Sequence, residues 1–180
     1  MMYALIILII LVLIYPKTRF LSIIKKHIKT LYNAKVYDIT NSEKKIYWLD
    51  ILFFYFLPIF VASYVIFFQD AQFLSSDQIN VFYLIFLPIL FGSLAVINSS
   101  ISNSKNEKYN IYAKEVFYNI AYGCILSLLG ILVNLIASIS NSKVIYFAML
   151  YIFISFVLLL VLAIKRMVVL LDPDTAGKGK

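Results

Sequence analysis

Between Tyr47 and Ile164 the chain repeats one arrangement four times, an apolar run of at least twenty residues and then a polar break. The runs are Tyr47–Phe68, Ile79–Asn98, Val116–Ile139 and Val144–Ile164. Each is long enough, at ~1.5 Å rise per residue, to cross a hydrocarbon layer of ~30 Å. Such a chain cannot bury its apolar surface in a core of its own. Of its 180 residues, 63% are hydrophobic, against about 45–50% in an ordinary soluble domain. The expected fold class is all-α, a polytopic membrane helix bundle, because lipid offers backbone groups no partner and each helix satisfies its own. Residues 1–172 read as one transmembrane domain, and 173–180, Gly- and Lys-bearing without apolar periodicity, as a disordered tail.

A fifth segment, Met2–Tyr15, has 14 residues and covers ~21 Å. It spans only if the helix runs past Pro16 with Lys17 and Arg19 reaching back to the interface. No cation precedes it and no small-x-small cleavage pattern follows, so it reads as an uncleaved anchor, with the N-terminus outside. The four runs are expected spans and this one an additional span.

The charges set the orientation. Pro16–Ile46 holds eight Lys and Arg, Ser99–Glu115 three and the end from Lys165 four, while Lys143 alone lies on the other side. By the positive-inside rule the basic side and the C-terminus are cytoplasmic, in a bacterial inner membrane. The net charge of +7 is thereby absorbed by topology, and no direct binding of nucleic acid is expected.

Within the basic segment 16–46, Phe20, Ile24, Ile28 and Leu31 form a stripe at helical spacing, with Lys25, Lys26 and Lys29 off it. Those lysines suit anionic lipid head groups or a soluble cytoplasmic partner; the same pattern also fits a continuation of the first helix, anchored at the interface. The Ser-, Asn- and Lys-rich stretch Ser99–Asn110 is expected to be an exposed, mobile loop.

Chemistry-bearing residues are sparse. There is one His, His27, and one Cys, Cys124, and no acidic residue lies near the middle of a run. A nucleophile with its base, or a set of metal ligands, has nothing to assemble from, so no catalytic site, metal or cofactor is expected. Asp50 and Glu115 sit at the ends of their runs, as interfacial anchors do. Tyr47, Trp48, Tyr109, Tyr112, Tyr118 and Tyr122 read as an aromatic belt.

Two patterns remain. Pro58 and Pro88 sit in similar contexts, Leu57-Pro58-Ile59 and Leu87-Pro88-Ile89, and should kink their helices, forming either a hinge or a matched packing surface. In the third run, Gly123, Ser127, Gly130, Asn134 and Ser138 recur at steps of four, three, four and four, placing small and polar groups on one helix face. That face either packs closely on another helix or lines a channel in a homo-oligomer.

The order of a Leu-Pro-kinked span (Leu49–Phe60), a Ser/Asn-rich loop, a Lys114-Glu115 start with Asn119-Ile120, and a last span closing on Ile164-Lys165-Arg166-Met167 resembles small multi-spanning membrane components of bacterial anti-phage defence systems. The resemblance covers Leu49–Leu171 by arrangement and transfers no functional residue. It implies a protein that permeabilises or depolarises the membrane, or one that holds a soluble sensor there. The expectation is a homo-oligomeric, pore-forming or bilayer-perturbing effector with membrane lipids as partners. The alternatives are a non-conducting anchor for a soluble cytoplasmic protein, and a bacteriocin-immunity or transporter-accessory protein.

Overall fold

The computed structural model describes residues 20–32, 52–68, 75–140 and 142–171, and all regular structure among them is helical. The helices are α1 (Phe20–Tyr32), α2 (Leu57–Phe68), α3 (Ser76–Asn103), α4 (Glu107–Ile139) and α5 (Lys143–Leu171). A π-helical turn, Leu52–Phe56, leads into α2. It accommodates Pro58, whose ring would collide with the Phe54 carbonyl in a regular α-helix and which has no N–H to offer it; the wider turn opens the ladder at that point.

Local chemistry sets the helix ends. Ser75 caps α3 through a reciprocal capping box with Gln78, and the Asn106 side chain caps α4 by accepting from the Tyr109 N–H. At the start of α5 the Ser142 carbonyl accepts from the N–H groups of Ile145 and Tyr146. The stretch expected to be a mobile loop, Ser99–Asn110, is instead helical except for Ser104–Asn106. Its polar residues explain the difference, since they act as caps. The Asn106 side chain accepts from the Tyr109 N–H at 3.2 Å, and the Asn110 amide donates to the Ser104 carbonyl at 3.0 Å. The result is a capped helical hairpin.

Helix α4 is the centre of the bundle. It packs along α3 on one side and α5 on the other, receives α1 near its first half, and α5 in turn carries α2. Large aromatics from α3 and α5 meet beside it. Phe82 lies edge-on to Phe153 at 5.3 Å, and Tyr83 lies 5.2 Å from Phe156, pairings worth about 0.5–1.5 kcal/mol each beyond their buried area. This crowding is possible because α4 presents small residues where its neighbours are largest.

Three helices, Ser76–Asn103, Tyr109–Ile139 and Lys143–Val168, are long and apolar enough to cross a membrane, and Leu52–Phe68 forms a shorter apolar helix. Val81, Leu84, Ile85 and Ile89 on α3 and Val161 and Ile164 on α5 point outward, fully at odds with water and suited to lipid. Three of the four expected spans thus correspond to long helices. The fourth, Tyr47–Phe68, is described only from Leu52 on, and Met2–Tyr15, the basic segment beyond Tyr32 and the tail lie outside the described residues. Lys25, Lys26 and Lys29 of α1, Lys105 and Lys114 around the α3–α4 connection, and Lys165 and Arg166 of α5 all collect at one end of the bundle.

Candidate functional site

At that basic end α1 is fastened to the bundle by polar groups. His27 and Thr30 of α1, Asn119 of α4 and Arg166 of α5 are all buried, as is Glu115 one turn before Asn119. The His27 Nδ1 lies 2.9 Å from the Asn119 Oδ1. With the carboxamide oxygen as acceptor, the imidazole donates from Nδ1. The Thr30 hydroxyl has one proton and two acceptors in reach, its own-helix carbonyl at His27, 2.7 Å away, and the Asn119 Oδ1, 3.0 Å away. Arg166 donates from Nη2 to the Thr30 carbonyl at 3.1 Å, tying α5 to α1.

Aromatic groups enclose the junction. Tyr122 stacks on the His27 ring with centroids 4.1 Å apart and planes within 18°, and Phe54 of the π-turn meets it edge-on at 6.5 Å. Outside, the Lys26 ammonium donates to the Tyr118 hydroxyl at 2.8 Å and lies 4.6 Å from the ring centroid. Burial pulls the His27 pKa down, the Asn119 hydrogen bond partly restores it, and the Arg166 charge lowers it again, leaving it at about 4. The imidazole is therefore neutral at physiological pH.

Chemically this is a joint. The imidazole is bonded at Nδ1, stacked and buried. Cys124 lies in the core, and no cluster of three or more His, Cys, Asp or Glu able to hold a metal occurs among the described residues.

The small-residue face of α4 continues the same stripe. Gly123, Ser127, Gly130 and Asn134 are buried between α3 and α5, while Ser138 is exposed and turns its hydroxyl back to the Leu135 carbonyl. A Cβ on Gly123 would come within 3.2 Å of Leu159 and 3.4 Å of Leu90, and one on Gly130 would overlap the Tyr83 ring. Ser127 bonds the Gly123 carbonyl at 2.9 Å, and the Asn134 amide bonds the Ser76 carbonyl at the opposite end of the bundle. From Gly123 to Asn134 this face is filled from within the monomer.

The two prolines do not share an environment. Pro58 is buried and Pro88 is exposed in the middle of α3, whose helix runs through it. They form no common packing surface. Lys25, Lys26 and Lys29 are exposed as expected, but the buried face of α1 is rotated from the expected stripe: His27, Thr30 and Leu31 are inside and Ile28 is outside. Hydrogen-bond partners across the joint outweigh the transfer gain of one isoleucine, because an unpaired buried His would cost more. The aromatic belt residues Tyr118 and Tyr122 serve the same joint.

His27, Thr30, Asn119 and Arg166 form a group that their sequence positions do not announce. One signal was present: Glu115 and Asn119 extend the Gly123–Asn134 periodicity two turns upstream at steps of four. No known protein family matches this chain, nor does any curated protein or solved structure.

Proposed function

We propose that the protein is a multi-pass anchor of the bacterial cytoplasmic membrane, without enzymatic activity, that presents a rigid helical tip to a soluble cytoplasmic partner. The observation that carries this reading is the capped hairpin at the basic end. Ser104–Asn106 is held by the Ser104 hydroxyl accepting from the Asn106 N–H, by the Asn106 cap and by the Asn110 amide. From the outer end at Ser76 and Asn134, ~30 Å of hydrocarbon at ~1.5 Å per residue ends near Val96 on α3 and near Lys114 on α4. About two turns of α4 then project beyond the bilayer, with Lys105, Glu107 and Lys114 exposed. A preordered surface of this kind loses little entropy on binding.

In this arrangement the four long apolar runs cross the membrane, the basic end faces the cytoplasm by the positive-inside rule, and the span order resembling anti-phage components suggests that the partner is a sensor or effector of such a system. Double charge reversal, Lys105→Glu with Lys114→Glu, should abolish co-purification of soluble protein from native cells while leaving membrane insertion intact. Unchanged co-purification would reject the anchor reading.

A second reading, a homo-oligomeric effector that opens or perturbs the bilayer, is favoured by a different face. Pro88, Gly92, Ala95 and Ser99 are all exposed on one side of α3, and nothing lies within 4 Å of a Cβ placed on Gly92. Small residues left open to lipid let a second helix approach closely. Dye release from liposomes, lost on Gly92→Leu, supports this reading; vesicles that stay tight reject it.

A further inference from the structure

Helix α1 has two faces with different chemistry. The inward face is occupied by the His27–Asn119 joint. The outward face carries Leu21, 64% exposed, and Ile28, 37% exposed, two turns apart on one line. Lys25 and Lys29 follow this line on its solvent side, and no acidic residue occurs anywhere in α1. Lys26 belongs to neither, since it is engaged on Tyr118. Beside α1, the π-turn that meets His27 through Phe54 exposes Leu52, Phe53 and Phe56.

We propose that the Leu21–Ile28 facet of α1 seats in the interface of an anionic leaflet, with Lys25 and Lys29 on lipid phosphates, so that α1 is held by the bundle on one face and by lipid on the other. Three observations favour lipid over a protein partner. The facet is narrow, two apolar side chains rather than a groove. The flanking charge is of one sign, complementary to anionic head groups. Its neighbours, the exposed phenylalanines of the π-turn, belong to an apolar helix that needs lipid on that side. The lysine stems reach along the facet while their ammonium groups stay in the head-group layer.

The inference rests on the membrane placement proposed above and not on the soluble partner. Its test uses the full chain with Cys124→Ala and Leu21→Cys, labelled with an environment-sensitive fluorophore and reconstituted into vesicles of phosphatidylcholine, with or without phosphatidylglycerol. Quenching by lipids carrying a shallow acyl spin label should rise with phosphatidylglycerol. Lys25→Gln with Lys29→Gln should lower the inserted-to-uninserted ratio roughly five-fold per lysine, and Lys26→Gln should leave the lipid dependence intact. A label equally open to aqueous iodide in both vesicle types overturns the proposal and leaves the facet for a protein. So does a Lys26→Gln effect as large as that of the double variant. Extraction of the unmodified protein by alkaline carbonate would instead reject the membrane placement itself, which separates the two failures.

Discussion

The two halves of α4 use one helical stripe in two ways. From Gly123 to Asn134 the stripe is closed by shape, glycines under the Tyr83 ring and against Leu90 and Leu159. From Glu115 to Tyr122 it is closed by hydrogen bonds and ring stacking to a helix from elsewhere in the chain. The first closure is indifferent to pH and intolerant of volume. The second tolerates volume poorly too, but it also depends on the protonation of one imidazole and on a single carboxamide. One half of the stripe is therefore sensitive to added volume, and the other to protonation as well.

Substitutions can break this contrast. Gly130→Leu forces a side chain into the Tyr83 ring and should cost about 3 kcal/mol, the upper end for overpacking. Thermal unfolding in detergent should show the loss, while Gly92→Leu, with open space above it, leaves the monomer's stability near that of the unaltered protein. Asn119→Leu should act only on the joint. It leaves the His27 Nδ1–H without its acceptor, while the Thr30 hydroxyl keeps the His27 carbonyl, at a cost of about 2 kcal/mol, and hydrogen exchange should accelerate in α1 but not in α3.

Lowering the pH sharpens the same division. The docked imidazole has its pKa lowered from 6.5 to about 4, so docking is fully supported above pH 6.5 and is lost as pH falls from there toward 4, by at most about 1.4 kcal/mol per unit. Protonation places a second cation among Arg166, Asn119 and the Tyr122 ring and removes nothing from the Gly123–Asn134 seam. Exchange protection of α1 should decline at pH 5 with the rest of the bundle unchanged. Smallest is Lys26→Met, which keeps the stem and loses the cation over Tyr118, for about 0.5–1 kcal/mol in α1 docking by the same readout.

The transmembrane-length helices and the small-residue stripe were legible because they are local: apolar run length and a period near 3.6 are properties of consecutive residues. The π-turn and the hairpin were less so. Pro58 signalled a break in the ladder without saying that a wider turn would absorb it, and the Ser and Asn residues of Ser99–Asn110 that suggest a loop are also the residues that cap helices. The joint was the least legible part. Its members are separated by 92 and 136 positions, and His27 sits among lysines where the hydrophobic stripe through Ile28 predicts a different inner face. Only the three-dimensional crossing of α1 over Asn119 makes a polar face the buried one.

His27 is the only histidine in the chain, so a sample labelled with nitrogen-15 at histidine reports on the joint alone. In lipid bilayers the account predicts a neutral imidazole protonated at Nδ1, held in that form down to pH 5 and titrating near 4. A signal that titrates close to 6.5, or shows both tautomers in exchange at neutral pH, would contradict it and leave α1 undocked.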